Sequence, residues 1–433
     1  MATPDKTRRP GYAPAANVGV GRRGLHTRDR ILACAAEVFL TNGFHSTSLD
    51  TIAKAANASR ATVYQYFAGK EDIFRELSAA AERDVLVHGE QLGELGPTIA
   101  GVDELHRWLV DWAAIYDAHA AVFAEFPGIG TAAGLSVIDT GAVAETYRLM
   151  VTERLRRAPL DELDAHDAAA VLGRIPHMVN LYRHRAMFPL PDRSVVSWSL
   201  TVALQLMLFP ETPADALRAA APKVLAPASR PSAVIEPSRP TPQITEVPLS
   251  PIAHDVLAVS SALFAERGYY AVSMEEIAAA AELSRATLYR YFSTKDRILA
   301  ELTRRAVTEV EEHAATLPPM ASGSLTEWML GYVRFHRTYR GVIRAWFDGT
   351  VAEQLSDAAV DHGIGAIHRA VATSLDSVDL PPGIDDQVAG AVFLAVLGRM
   401  TEPTAAVAPD TDQRAAELMA NLLRRALLRQ LKA

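Results

Sequence analysis

Apolar residues recur at helical spacing along most of the chain, and no stretch alternates as a strand would. From Thr27 to Thr41 the apolar positions Ile31, Leu32, Ala35, Val38 and Phe39 predict a first helix. Asn42-Gly43 should stop it, because glycine is the usual residue just past a helix end. Ser48 offers an N-cap for a short helix, Leu49 to Ala56, with Ile52 and Ala53 turned inward. Asn57-Ala58 reads as a turn, and Ser59 caps a third helix that runs through Phe67. A fourth begins near Lys70 and extends to about His88.

The pattern returns without a gap at an offset of 225 residues. Ser59-Arg60-Ala61-Thr62-Val63-Tyr64-Gln65-Tyr66-Phe67 recurs as Ser284-Arg285-Ala286-Thr287-Leu288-Tyr289-Arg290-Tyr291-Phe292, and Lys70 as Lys295. Roughly 20 of 50 positions agree between Ile31–Ala80 and Val256–Arg305, which marks an internal duplication. Phe39/Phe264, Gly43/Gly268, Ser48/Ser273, Ile52/Ile277 and Leu77/Leu302 are among them. Most are core positions, a helix stop and a cap, so they establish the repeat and not a function.

Each head is followed by a helical body. Asp103 to Phe126 is apolar at Leu105, Leu109, Trp112, Ile115, Tyr116, Val122 and Phe123, and Leu325 to Phe347 matches it, Trp108 falling on Trp328 and Phe126 on Trp346. Further helices are predicted at Thr140–Arg157, Ala165–Met187 and Arg193–Leu208, with counterparts Val351–Leu375, Asp385–Met400 and Asp412–Gln430. Residues 210–250 are dense in proline and read as a semi-stiff linker, long enough for the second half to turn and dock on the first. Residues 1–25 lack periodicity and read as a disordered arm; Lys6, Arg8, Arg9, Arg22 and Arg23 against Asp5 make it basic. The predicted division is therefore arm 1–25, head 26–86, body 87–209, linker 210–250, head 251–310 and body 311–433. The fold class is all-α.

Composition narrows the picture. With 49% hydrophobic and 22% charged residues the chain can bury large cores. The single cysteine, Cys34, excludes an internal disulfide and a cysteine metal cluster, and it reads as a buried structural thiol. The longest apolar run, Val195 to Phe209, contains Ser197, Ser199, Thr201 and Gln205, which fits a buried helix and not a membrane span; a cytoplasmic location is expected. The net charge of −8 does not exclude nucleic acid, because binding needs only local positive potential. Asn57 to Lys70 holds two cations and no acid; Glu282 to Lys295 holds three cations and one acid.

Each unit F…G…S…IA…A…SRAT-x-Y-x-YF…K resembles the head of TetR-type transcriptional regulators, and the resemblance covers about 60 residues per head. It implies a helix-turn-helix whose second helix enters the DNA major groove. The family's groove-facing positions fall on Arg60, Ala61 and Thr62 and on Arg285, Ala286 and Thr287. Tyr64, Tyr66 and Lys70, with Tyr289, Tyr291 and Lys295, match positions that hold phosphates. Ser48 and Ser273, at helix N-termini, are added as phosphate contacts, and the heads differ at Gln65 against Arg290 and at the short-helix entry, Asp50-Thr51 against Glu275-Glu276. The resemblance further implies double-stranded operator DNA as partner, a small-molecule effector in the body, and a four-helix interface from the last two helices of each unit. Because both units share one chain, an intramolecular pseudo-dimer is expected, with further dimerisation left open. No cofactor and no metal are implied.

Candidate effector-pocket residues lie on helical faces: Trp112, Tyr116, His119, Phe123, Tyr147, His177 and Tyr182, then Trp328, Tyr332, His336, Tyr339 and Trp346. The plain alternative is that these aromatics are core. The expected function is a repressor released by a ligand, reading a near-palindromic operator with two unequal halves. A ligand-independent regulator or architectural protein is the competing reading. A small-molecule enzyme is the remote one, since no Gly-rich phosphate loop, His-Glu-x-x-His or nucleophile elbow occurs.

Overall fold

The computed structural model describes residues 22–125, 140–187, 189–223, 250–346, 357–376, 378–404 and 411–428. The basic arm to residue 21 and residues 224–249 of the proline-rich linker lie outside these, as does Phe126. Every regular element among the described residues is a helix.

Head 1 consists of α1 (Arg22–Asn42), α2 (Leu49–Ala55) and α3 (Arg60–Tyr66), and α4 (Lys70–Glu90) leads out of it. The helix ends follow local chemistry. Gly43 takes φ +74° and its N–H returns to the Phe39 carbonyl, a conformation that costs a side chain but not glycine. Ser48 and Ser59 cap α2 and α3 by accepting from the N–H groups of Thr51 and Thr62. Ile31, Phe39, Ile52, Val63 and Phe74 then close a small core of their own, joined by Ala121 and Val122 from the body. Cys34, expected inside, is only half-buried, its Sγ 3.5 Å from the Ala55 carbonyl.

Head 2 repeats this with α11 (Pro251–Arg267), α12 (Met274–Ala280), α13 (Arg285–Tyr291) and α14 (Lys295–Ala314). Gly268 ends α11 at φ +81°. The turn between the two short helices needs one left-handed residue, which is Asn57 in head 1 and Glu282 in head 2. Asparagine tolerates that region; glutamate does so at a cost.

Body 1 runs α5 (Ile99–Ala118), a short α6 (Ala120–Phe123), α7 (Thr140–Leu155), α8 (Ala165–His184) and α9 (Arg193–Leu208). A further helix, α10 (Ala214–Ala220), lies within the stretch read as linker; Ala216 and Leu217 are buried and it packs on α5. Body 2 runs α15 (Leu325–Trp346), α16 (Asp357–Asp376), α17 (Asp386–Arg399) and α18 (Asp412–Leu427). Where α5 breaks at His119, its counterpart α15 continues unbroken.

The two units meet through α8 and α9 on one side and α17 and α18 on the other. Trp198, Val202, Leu204, Phe393, Val396 and Leu423 are buried in one continuous core with both bodies and head 2. Polar contacts fix the register. Ser199 Oγ donates to the Gly383 carbonyl at 3.2 Å and accepts from the Asp385 N–H at 3.0 Å. Arg414 of unit 2 pairs with the buried Asp167 of unit 1 at 2.9 Å, an arrangement that specifies one docking more than it adds stability. The chain is thus an intramolecular pseudo-dimer.

The heads also touch. The His45 and Tyr270 rings stack at 4.2 Å between centroids with planes 29° apart. These residues occupy the same place in the two copies, so the pseudo-two-fold axis passes between them.

Candidate nucleic-acid interface

On α3 one face is anchored and the other is free. Val63 is fully buried, while Arg60, Ala61 and Tyr64 are exposed and Thr62 and Gln65 are half-buried. On α13 Leu288 is the anchor, and Arg285, Ala286, Tyr289 and Arg290 are exposed, with Thr287 half-buried. Tyr64 and Tyr289 are 42% and 44% exposed at equivalent positions, unusual for such large rings unless the surface serves contact. The threonine hydroxyls are tied back: Thr62 Oγ1 lies 2.8 Å from Ser59 Oγ and Thr287 Oγ1 2.8 Å from Ser284 Oγ. Their methyls are what the helix N-terminus can offer a groove.

Each leading arginine is held by an acid from the preceding helix. Arg60 Nη1 reaches Asp50 Oδ2 at 3.1 Å and its Nη2 reaches the Tyr64 hydroxyl at 3.2 Å, with the guanidinium over the Tyr64 ring. The tyrosine hydrogen bond and then Asp50 raise its pKa further, so it is always charged. Arg285 pairs with Glu275 in the same way. Exposed pairs of this kind are weak and easily exchanged for another anion. Asp50 and Glu275 were not named as site residues from sequence, although an acid ten positions before the arginine recurs in both copies.

Other expected phosphate contacts are placed differently. Tyr66 is 7% exposed and sits in the head 1 core, while Tyr291 is half-buried. Lys70 donates from Nζ to the carbonyls of Phe44, His45 and Thr47 at 2.8, 2.9 and 2.9 Å. An ammonium has three protons, and all three are engaged. Lys295 likewise donates to Tyr269 and Val272 at 2.7 Å each, and burial lowers both lysines' pKa values. These lysines clamp the turn that carries His45 in one head and Tyr270 in the other. Ser48 and Ser273 serve as caps; Ser273 forms a reciprocal box with Glu276, whose carboxyl is drawn down to about 2 by the Ser273 backbone N–H and by Arg267.

The body aromatics come together as packed clusters. Trp112, Tyr116, Phe123, Tyr147 and His177 lie within 4.8–6.0 Å of a neighbour in that set, and Trp112, Tyr116, Tyr147, His177 and Tyr182 are buried. His119 instead faces Asp84 at 2.7 Å. In body 2, Trp328, Tyr332 and His336 form a ladder along α15 with Tyr339 further on, and Trp346 bonds the Thr303 hydroxyl. Of the twelve candidates, His336 borders the cavity between head 2 and body 2. Sequence reading missed the partners of the matching tryptophans. His88 stacks on Trp108 at 4.3 Å and His313 on Trp328 at 4.4 Å, each pair exchanging ring-to-carbonyl hydrogen bonds in both directions. Burial pushes His88 down to about 4.

Among the described residues no group of His, Cys, Asp and Glu could hold a metal ion, and no helix is long and apolar enough to cross a membrane. The family described as bacterial regulatory proteins, tetR family, matches at residues 31–77 and again at 256–302. The uncharacterized HTH-type transcriptional regulator YhgD of Bacillus subtilis (strain 168) is 28% identical over 111 residues, which are 25% of this chain and 57% of that protein. The HTH-type transcriptional regulator AcrR of Shigella flexneri is 41% identical over 59 residues, 14% of this chain and 27% of that protein. The chain thus spans about half, or less, of the length of these relatives. The solved TetR family transcriptional regulator PfmR of Thermus thermophilus aligns with 40% of this chain and 99% of its own at 22% identity, with a TM-score of 0.30. Both family matches fall on the two copies of one three-helix head, so the chain carries two heads of the bacterial tetR regulatory family in tandem in one polypeptide.

Proposed function

We propose that this protein is a sequence-specific DNA-binding transcriptional regulator in which one polypeptide supplies both halves of the reader. The observation that carries the reading is the pairing of α3 with α13. Both offer solvent the same Arg-Ala-Thr start and the same exposed tyrosine, on units joined through four interface helices. Arg60 and Arg285 suit bidentate pairing with guanine O6 and N7, and the alanines and threonine methyls suit thymine methyls. Tyr64 and Tyr289 are assigned to phosphates, and Lys70 and Lys295 to holding the turn beside them. Gln65 against Arg290 makes the half-sites unequal.

The operator is then near-palindromic, with half-site centres roughly 34–36 Å apart for one helical turn. The stacked His45 and Tyr270 support a defined head spacing. Tethering makes the second contact intramolecular, so one chain suffices. The protein acts as a repressor, released when a small molecule favours head positions that no longer meet both half-sites. The test is selection from random DNA followed by native mass measurement of the complex. One chain on a paired site is expected. An unpaired half-site, or two chains on one site, would refute the single-chain reader.

A further inference from the structure

A cavity of about 930 Å³ opens where head 2, body 2 and unit 1 meet. Ala258 and Ala262 of α11 form one wall, and Arg340, Ile343 and Arg344 of α15 form another. The end of α17 and the turn after it bring Arg399 and Glu402, and Met178 of α8 reaches in from unit 1. The volume suits a small organic molecule, and the lining joins apolar wall to a few polar groups, as ligand sites do.

Among the charged groups cations predominate, four arginines against two glutamates. Arg337 borders the cavity but is taken by Asp412 at 2.8 Å. Setting that pair aside, Arg340, Arg344 and Arg399 face Glu266 and Glu402. Arg174 stands just behind, donating to the carbonyls of Arg399, Glu402 and Pro403, and adds a further positive charge. His336 adds none at neutral pH, since burial pushes it down to about 4. Arg340 is exposed and has no hydrogen-bond or ion-pair partner among the described residues. Arg399 donates to Glu402 at 3.2 Å, and its buried Nε has no partner. In unit 1 the positions matching Arg340 and Arg344 are Ala120 and Ala124, so the feature belongs to the second copy alone.

We propose that this cavity binds an organic anion with an apolar body, a medium-chain carboxylate in class, its carboxylate held by Arg340 and Arg399 and its chain lying against Ala258, Ala262, Ile343 and Met178. The binding does not depend on the DNA-reading proposal; its regulatory consequence does. Because α11 belongs to head 2 and α15 to the body, a bound anion bridges the seam between them. Any change of head 2 position alters its contacts, and by linkage its binding alters DNA affinity.

The experiment is calorimetric titration of the full chain with octanoate, decanoate and dodecanoate, below micelle formation, and with decyltrimethylammonium as the oppositely charged probe. Saturable binding of the anions and not the cation is expected. Arg340→Glu should weaken it about tenfold to a hundredfold, the loss of a hydrogen bond to a charged group. Ala262→Tyr, filling the cavity from an exposed helix position, should do the same with folding intact by circular dichroism. Absence of saturable binding across the series, equal binding of the cation, or binding unchanged in both variants overturns the proposal. Operator affinity, measured separately with and without decanoate, reports on the DNA reading independently.

Discussion

At Gly341 the helices α15 and α11 run so close that a methyl group does not fit. A Cβ there would lie 2.3 Å from the Ser261 carbonyl oxygen, 2.7 Å from the Ala265 nitrogen and 3.0 Å from Phe264 Cβ. Two of these are backbone atoms, which cannot rotate aside. Relief needs the helices to part by about 1 Å, and overpacking of this kind costs about 1–3 kcal/mol. The seam also holds two hydrogen bonds, Ser261 Oγ to the Thr338 carbonyl at 2.8 Å and Arg344 to the Ala265 carbonyl at 3.0 Å, which the same movement strains. Alanine in a helix interior brings an opposing gain of roughly 0.5–1 kcal/mol over glycine. Gly390 on α17 separates the two effects, because nothing lies within 4 Å of a Cβ added there. Gly390→Ala should take the gain alone. Gly341→Ala should therefore be less stable than Gly390→Ala by about 1–3 kcal/mol in equilibrium urea unfolding, compared at matched m-values. Equal stability of the two variants would refute the close-approach argument, and with it the view that head 2 is packed onto its body backbone to backbone.

Lys70→Met should cost about 1–3 kcal/mol, since it strips the carbonyls of Phe44, His45 and Thr47 of their donor. It should leave the salt dependence of DNA binding unchanged, whereas losing a phosphate contact would lower that slope by about 1. Glu282→Asn places at φ +56° a residue that tolerates it, and thermal unfolding should show a gain on the order of 1 kcal/mol; a loss would mean Glu282 makes a compensating contact. His88 and His336 are pushed down to about 4, so between that value and about 6.5 the unfolded chain binds protons that the folded chain does not. Stability should fall as pH drops through this window, by up to about 1.4 kcal/mol per pH unit for each histidine, and His88→Gln should flatten the profile by one such share. A stability that holds constant from pH 7 to 4.5 would contradict it.

Features written in local chemistry were legible without coordinates. Gly43, Gly268, Ser48 and Ser59 mark helix ends because each satisfies or releases backbone groups within a few residues of itself. The interface helices followed from the family resemblance, which implies the last two long helices of each unit; order and length only said which helices those are. What was not legible depends on distance through space. A lysine after a recognition helix reads as a phosphate ligand until three carbonyls from the α1–α2 turn are seen around it. Tyr64 and Tyr66 look alike in sequence and face opposite ways; helical phase from Val63 and Phe67 already hinted that Tyr66 points inward. The body aromatics satisfied helical spacing equally well as core or as pocket, and packing decided between them. The cationic cavity draws on α8, α11, α15 and the end of α17 with the turn after it, four segments that no local pattern connects.

The contact of His45 with Tyr270 carries a consequence for how such a chain lives among its relatives. On a true two-fold axis a residue meets only its own copy, so an unlike pair at equivalent positions on that axis is forbidden to a symmetric homodimer. Two of these chains pairing head 1 with head 1 and head 2 with head 2 would set histidine on histidine and tyrosine on tyrosine and forgo the mixed stack. An assembly of separate subunits can form hybrids with sibling chains; one whose halves are covalently joined and complementary at the axis is favoured against that exchange.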